Sequence, residues 1–285
     1  MFEDLRKSIP ALVQLTTEAG REILDVYERD FSVEYKDDKS PLTEADNRSN
    51  ALIVKGLKDL FQEIPILSEE EADIEYHRRK GWGLFWLVDP LDGTKEFMKR
   101  NGEFTINIAL VSQRQPVFGM IYIPVQELLY LGGPLLNGVF RLKTRDMKDY
   151  SVDAILDDSN RVSKKEDDHR NGIVVVGSRS HGSDRLRDFV EVLGKKYPNV
   201  EFVSAGSALK FCLIAEGKAD LYPRFGPTME WDTAAGHAIV LVMGARVLRT
   251  DTLEELNYNK VSLKNPDFIV TKEELIEEIT SFFRE

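Results

Sequence analysis

The sequence has little cysteine, no excess of positive charge and no long apolar run. Cys212 is the single cysteine among 285 residues, so an internal disulfide is excluded and a reducing compartment is indicated. The 38 lysines and arginines are outnumbered by 49 aspartates and glutamates, and the net charge of −11 without a basic stripe argues against a nucleic-acid partner. No apolar run approaches the ~20 residues of a membrane span, and residues 1–6 lack the charge pattern of a leader.

These absences favour a cytoplasmic protein with no integral membrane segment. Peripheral attachment at the inner membrane face is left open, and either a monomer or a homodimer is expected. The chain is long enough to bury a substantial core, either as one large domain or as two closely packed ones. We assign Trp82, Trp86 and Cys212 to that core.

Hydrophobic periodicity divides the chain into a helical start, a β-rich middle and an alternating second half. The patterns predict helices at 9–28, 43–61, 183–195, 207–216, 232–243 and 271–283, and strands at 84–88, 104–112, 117–124, 127–131, 138–142, 173–177, 200–204, 220–224 and 268–270. The close spacing of the first strands predicts an antiparallel meander. A crowded charged run suggests a boundary, so we expect an N-terminal α+β part at 1–142, a charged connection or insertion at 143–171 and a C-terminal α/β part at 172–285.

The most informative passage is an apolar strand that ends in D-P-L-D-G-T at 89–94. Magnesium prefers oxygen ligands, and Asp89, the Leu91 carbonyl and Asp92 can together face one pair of metal ions. The Gly-Thr pair fits the first turn of a helix, where free N–H groups favour an anion. The loop is therefore a candidate meeting point for metal ions and a phosphate group. An ordinary turn is the alternative, because Asp-Pro and Asp-Gly pairs are common turn formers.

Three further acidic residues are candidates to join this loop. Glu69 follows an apolar triplet and falls at a predicted strand end, although consecutive glutamates also commonly coat a surface. Asp46 stands three residues after Thr43, a spacing close to that of a capping box. Asp232 precedes an apolar helical pattern and can serve as its N-cap. Capping and a role in the site are compatible.

Four ordered motifs together resemble the inositol monophosphatase superfamily of magnesium-dependent, lithium-sensitive phosphatases. They are S-P-L-T-E-A-D at 40–46, L-S-E-E at 67–70, W-L-V-D-P-L-D-G-T-K-E-F at 86–97 and W-D-T-A-A-G-H at 231–237. Within the superfamily the chain resembles the CysQ-type 3′(2′),5′-bisphosphate nucleotidases. The segments that carry this closer resemblance are 101–111, 178–181, 206–212, 215–217 and 222–228. The resemblance implies an α/β fold, a layered α-β-α-β-α sandwich with an antiparallel sheet in the first half and a mixed sheet in the second.

The resemblance also implies an active site in the cleft between the two halves. The metal ligands for two or three Mg²⁺ ions would be Glu69, Asp89, the carbonyl of Leu91, Asp92 and Asp232. Asp46 and Thr94, with Glu69 as the remaining catalytic residue, would orient or deprotonate the attacking water. The substrate-binding residues would be Gly93, Thr94, His181, Ser207, Lys210, Arg224 and Asp232.

The implied reaction removes the 3′-phosphate from adenosine 3′,5′-bisphosphate to give AMP and phosphate, in the service of sulfur metabolism. The corresponding phosphosulfate is a second expected substrate. Lys210 and Arg224 would bind the non-reacting phosphate, although Lys210 also fits the flank of a buried helix. One alternative is an inositol or sugar phosphatase, and another is a catalytically silent nucleotide sensor that uses the same pocket.

Overall fold

Helices and strands alternate along most of the chain. The computed structural model describes residues 2–29, 33–35, 41–163, 172–178 and 184–283. The helices are α1 Phe2–Tyr27, α2 Glu44–Leu60, α3 Tyr76–Arg79, α4 Thr94–Met98, α5 Val152–Ile155, α6 Asp184–Lys196, α7 Leu209–Ala215, α8 Glu230–Val242 and α9 Ile276–Ser281. The strands are β1 Val33–Tyr35, β2 Pro41–Thr43, β3 Ile66–Ser68, β4 Leu84–Asp92, β5 Thr105–Ser112, β6 Gln115–Ile123, β7 Leu128–Gly133, β8 Gly138–Lys143, β9 Ile173–Gly177, β10 Val200–Ser204, β11 Leu221–Arg224, β12 Ala245–Arg249 and β13 Phe268–Lys272.

The first large sheet has six strands in the order β3-β4-β5-β6-β7-β8. Strands β4 to β8 pair antiparallel with their neighbours in sequence, which confirms the predicted meander. Strand β3 runs parallel to β4. A parallel pair needs a crossover, and the intervening segment 69–83 contains α3.

The second large sheet has five strands in the order β10-β9-β11-β13-β12, parallel on one side and antiparallel on the other. This confirms the mixed sheet. Strand β12 was not predicted from the sequence, because two arginines flank its central valine and hide the apolar alternation. The predicted helix at 271–283 is wrong in its first residues, since Thr271 and Lys272 belong to β13 and pair with β12.

The two sheets and their helices stack as layers, as the fold prediction required. Alternate residues of β4 point to opposite faces: Trp86 and Val88 join α1 and α2 in one core, whereas Phe85 and Leu87 join α7 and α8 in another. The second core also contains residues of the five-stranded sheet, so α7 and α8 lie between the sheets. A third core covers the outer face of that sheet with α6 and α9.

The cores account for the residues assigned to the interior. Trp86 and Cys212 are buried, and Trp82 is partly buried against the core between the sheets. Helix α1 begins at Phe2 instead of the predicted Ile9, because Leu5 continues the same buried face. Gly119 allows α8 to approach β6 closely, since a Cβ atom there would lie 2.2 Å from the carbonyl oxygen of Ala235.

The charged segment at 143–171 is described as far as residue 163. It is not wholly solvated, because Ile155 of α5 is buried in the core that contains α1. The division of the chain at 142 and 172 stays a proposal, supported by the end of one sheet at Lys143 and the start of the other at Ile173. Among the described residues, no helix is both long enough and apolar enough to cross a membrane.

Candidate active site

A β-bulge at the end of β4 brings two carboxylates to one face of the sheet. Residues three apart in a regular strand point to opposite faces. Here Asp89 pairs with Asn107 and Asp92 pairs with Thr105, so one strand carries an extra residue across the same interval. The bulge therefore turns both carboxylates toward the same space, as the D-P-L-D pattern suggested.

Asp232 completes a compact acidic cluster. It lies in the first turn of α8, and one oxygen from each of Asp89, Asp92 and Asp232 lies within 4.8 Å of the others. Glu69 follows β3, the parallel neighbour of β4, and lines the same cleft of about 290 Å³. Leu91 lines the cleft as well. The four acidic residues predicted as metal ligands thus line one cavity, although Glu69 stands outside the tightest group.

Burial and mutual repulsion make these carboxylates costly to ionise. Burial, followed by the charges of neighbouring carboxylates, raises the pKa of Asp89 and of Asp232 well above the ordinary value. Burial also raises the pKa of Asp92 to about 6, against the opposing effects of the Lys210 charge and a hydrogen bond from Asn107. A hard divalent cation would relieve this repulsion with the oxygen ligands it prefers, so the donor set fits Mg²⁺.

Asp46 and Thr94 form a pair at the edge of the cluster. Asp46 Oδ2 accepts hydrogen bonds from the Thr43 main-chain N–H at 2.7 Å and from the Thr43 hydroxyl at 2.6 Å. Its Oδ1 accepts from the Thr94 hydroxyl at 3.4 Å. Asp46 is thus the capping-box residue of α2 and also the partner of a residue that lines the cleft. The capping prediction is confirmed, and it is compatible with a second role.

Ser207 ties the start of the 207–216 segment to the end of β4. Its hydroxyl lies 2.8 Å from the carbonyl oxygens of both Asp92 and Glu103, and it shares its single proton between them. The approach is so close that a Cβ atom on Gly93 would lie 2.1 Å from the Ser207 hydroxyl, and the φ of +91° at Gly93 also favours glycine. The Ser207 hydroxyl proton is therefore used within the protein, and it holds the two sides of the cleft together.

Two cationic residues face the acidic cluster. Lys210 is buried, and its ammonium group donates to the carbonyl oxygens of Ala205 and Ser207 and lies 5.3 Å from the centre of the Tyr222 ring. Burial lowers the pKa of Lys210 to about 8, although the Asp92 charge opposes this. Arg224 donates to the Pro227 carbonyl oxygen at 2.9 Å, but its buried Nε has no hydrogen-bond partner in the part of the chain that the structure describes. An anion in the cleft would supply one.

The chain matches the model of the inositol monophosphatase family over residues 4–284. It belongs to that family. It is 43% identical over 261 residues to the 3′(2′),5′-bisphosphate nucleotidase CysQ of Salmonella typhimurium and 41% identical over 261 residues to that of Escherichia coli strain K12; each match covers 90% of this chain and 97% of the relative.

Solved structures of the inositol monophosphatase family have the same fold. The crystal structure of CysQ from Bacteroides thetaiotaomicron is 41% identical and superposes with a TM-score of 0.80, covering 95% of this chain and 97% of that one. The inositol monophosphatase of Thermotoga maritima is 21% identical with a TM-score of 0.72, covering 95% of this chain and 94% of that one, and supports the fold alone. The layered α/β fold expected from the sequence is confirmed.

The predicted and observed site residues differ in two ways. His181 was predicted to bind substrate but lies outside the described residues, although Ser178, three residues earlier, lines the cleft. Glu96, Tyr222 and Thr233 line the cleft without having been predicted. Asn107 donates to Asp92 from the middle of an apolar strand, and the polar residues that interrupt that strand at alternate positions were a readable signal.

Proposed function

We propose that this chain is a magnesium-dependent phosphatase that hydrolyses the 3′-phosphate of adenosine 3′,5′-bisphosphate to AMP and inorganic phosphate. The observation that carries the proposal is the juxtaposition, in one cleft, of an acidic cluster suited to metal ions with Lys210 and Arg224. A chain of net charge −11 needs local cations to bind a doubly phosphorylated substrate. The CysQ relatives carry the name of this activity. The phosphosulfate with the same 3′-phosphate is a second proposed substrate.

In this mechanism the acidic residues would hold two or three Mg²⁺ ions. The proposed ligands are Glu69, Asp89, the Leu91 carbonyl, Asp92 and Asp232. When bound, the ions would stabilise the charge on the entering and leaving oxygens and lower the pKa of a bound water. The reaction requires this help because phosphate-monoester hydrolysis is very slow without a catalyst.

The Asp46–Thr94 pair is proposed to orient the attacking water and take its proton, with Glu69 as the other catalytic residue. The Thr94 hydroxyl donates to Asp46 Oδ1, so its oxygen lone pairs are available to a water in the cleft. As the water oxygen bonds to phosphorus, the bond between phosphorus and the ribose 3′ oxygen breaks. The water proton can pass to the Thr94 oxygen while the Thr94 proton passes to Asp46, and the released ribose oxygen takes a proton from solvent water. The Asp46–Thr94 pair gains one proton in total, so Asp46 becomes neutral and Thr94 ends as a hydroxyl again.

Lys210 and Arg224 are proposed to bind the second, non-reacting phosphate. The guanidinium group of Arg224 can present Nε and a terminal nitrogen to two phosphate oxygens, and the buried Nε without a partner supports this role. Gly93, Thr94 and Asp232 would contact the reacting end, and His181 would add a contact near the nucleoside. Ser207 shapes the site through its main-chain bonds.

A phosphate-release panel tests the function. We expect adenosine 3′,5′-bisphosphate to be hydrolysed with the highest kcat/KM, inositol 1-phosphate to be hydrolysed slowly, and both rates to vanish in EDTA. A preference for inositol 1-phosphate would establish the alternative of a polyol phosphatase. Tight binding of the bisphosphate without phosphate release would establish a nucleotide sensor, which the presence of Asp46, Thr94 and the acidic cluster argues against.

The metal-free protein is expected to lose stability as the pH rises. Because the pKa of Asp92 is raised to about 6, and those of Asp89 and Asp232 are raised well above the ordinary value, the folded state binds more protons than the unfolded state above pH 4. Unfolding free energy therefore falls from about pH 4 through pH 6 and beyond, and the penalty is complete only above the folded-state pKa values. Thermal melts in EDTA between pH 5 and pH 8 measure this slope.

Magnesium is expected to reverse that trend. Ion binding stabilises the folded state by ~2.7 kcal/mol at a hundredfold excess over the dissociation constant, and the ions bind the ionised carboxylates. The difference between melting temperatures in Mg²⁺ and in EDTA should therefore widen as the pH rises from 5 to 8. A melting temperature that is insensitive to millimolar Mg²⁺ at pH 8 would contradict the proposed metal site.

A further inference from the structure

Asn107 lies directly beneath the acidic cluster. It is on β5, its register partner on β4 is Asp89, and only 1% of its surface is exposed. The side-chain nitrogen lies 3.3 Å from Asp92 Oδ2, and the side-chain oxygen accepts a hydrogen bond from the Thr105 hydroxyl at 3.0 Å. A buried polar relay therefore runs from Thr105 through Asn107 to Asp92.

The direction of this relay is fixed by chemistry. An ionised carboxylate only accepts hydrogen bonds, so the amide of Asn107 must turn its NH₂ group toward Asp92. The opposite rotation would set the amide oxygen against the Asp92 carboxylate. Thr105 is fully buried, and its hydroxyl favours the same orientation because it donates to the amide oxygen.

Asp92 is held differently from the other members of the cluster. Asp89 Oδ1 accepts from the Leu91 main-chain N–H at 3.1 Å, and Asp232 Oδ2 accepts from the Met229 main-chain N–H at 2.9 Å. Those two bonds follow from the local backbone. Of these three carboxylates, only that of Asp92 takes a hydrogen bond from a side chain of the described residues, so its orientation depends on the identity of residue 107.

We propose that Asn107, fixed by Thr105, is a positioning residue that orients the Asp92 carboxylate for magnesium. The inference rests on the proposed metal site and extends it to two residues that do not contact the substrate. Partners that orient a metal ligand typically account for 10-fold to 100-fold in metal affinity. The pair would therefore set the magnesium concentration at which the enzyme works.

Calorimetric titration of Mg²⁺ into the full-length protein tests this inference. We expect Asn107→Leu, which removes the donor but keeps the volume, to raise the magnesium dissociation constant by about 10-fold to 100-fold. Thr105→Val should raise it by about threefold to tenfold, because the amide stays but loses the bond that fixes its rotation. Thr105→Ser keeps the hydroxyl and should bind Mg²⁺ as the unmodified protein does.

A matched control is Asn160→Ala, which removes hydrogen bonds to the carbonyl oxygens of Ala154 and Ile155 outside the cleft and should leave the dissociation constant unchanged. Equal magnesium affinity for Thr105→Val and Thr105→Ser would overturn the inference, even if Asn107→Leu does not fold. Failure of the unmodified protein to bind Mg²⁺ would instead contradict the proposed function, so the two failures are distinguishable.

Discussion

Replacing Asp89 with asparagine will lower the phosphatase activity by about 10³-fold and stabilise the metal-free protein. The substitution keeps the volume and an acceptor for the Leu91 N–H, but it removes a buried charge that Glu69, Asp92 and Asp232 repel. A bound ion contributes several kcal/mol to the transition state and each 1.4 kcal/mol is tenfold, so we expect kcat/KM to fall by about 10³-fold. The unfolding free energy in EDTA should rise by on the order of 1 kcal/mol, as stabilising substitutions at strained sites do.

The two effects of Asp89→Asn must be measured at pH 8, where the carboxylates of the metal-free protein are most ionised. Asp188→Asn is the matched control, because Asp188 is an exposed residue of α6 and its loss changes the net charge equally. The control should keep full activity and gain no stability. If Asp89→Asn were inactive but less stable in EDTA than the unmodified protein, Asp89 would be a structural residue and its proposed role as a metal ligand would lose its physical basis.

This opposition between stability and function explains why the acidic loop could be predicted as a functional site from the sequence. Two carboxylates at the end of an apolar strand are unfavourable for folding, and the D-P-L-D-G-T pattern shows both of them in the sequence itself. The bulge that turns Asp89 and Asp92 to one face was not readable, because it depends on the register with Thr105 and Asn107. The sequence predicted that Asp89 and Asp92 act together from a loop, whereas in a regular strand residues at this spacing point to opposite faces.

The contribution of distant residues was predictable only through the family resemblance. Nothing local to Asp232 distinguishes a capping residue of α8 from a metal ligand. The prediction that it is the N-cap is wrong, because Met229 holds that position; Asp232 is the third residue of α8, and its carboxylate accepts from the Met229 N–H while it also faces Asp89 and Asp92. Ser207 shows the opposite limit. Its hydroxyl donates to main-chain carbonyls that the sequence did not point to, because the chain at Gly93 approaches it closely, and its contact with substrate stays a prediction.

The prediction of secondary structure from the sequence failed where strand pairing in the folded protein outweighs local preference. Strand β12 has arginines at two of its five positions, and it is a strand because Val247 packs into the core between the sheets while the backbone pairs with β13. The pairing also extends β13 through Thr271, where the local sequence predicted a helix. Both errors lie at the edge of the second sheet, away from the cleft.

Replacing Arg224 with methionine will convert the enzyme into one that no longer prefers a bisphosphate. Arg224 lines the cleft and its buried Nε lacks a partner among the described residues, so an incoming phosphate oxygen can accept from it. Hydrogen bonds between charged groups contribute about 1.5 to 3 kcal/mol, so we expect kcat/KM for adenosine 3′,5′-bisphosphate to fall by about 10²-fold. Adenosine 3′-monophosphate lacks the second phosphate and should be hydrolysed within about threefold of the original rate.

Arg224 is a sharper probe of the second phosphate than Lys210. The Lys210 ammonium group is buried beside Asp92 and opposes the rise in the pKa of that carboxyl, so Lys210→Ala would disturb the acidic cluster as well. Arg224→Lys keeps the charge but loses the planar fork, and it should recover only part of the bisphosphate activity.

Arg185→Gln tests whether the Arg224 effect reflects movement of the surrounding loop. Arg185 packs 4.5 Å from the centre of the Phe225 ring and pairs with Asp267, outside the cleft. Its loss should leave the preference for the bisphosphate intact. Equal losses on the bisphosphate and the monophosphate in Arg224→Met would place Arg224 in the general architecture of the cleft, and the second phosphate would then require a different ligand.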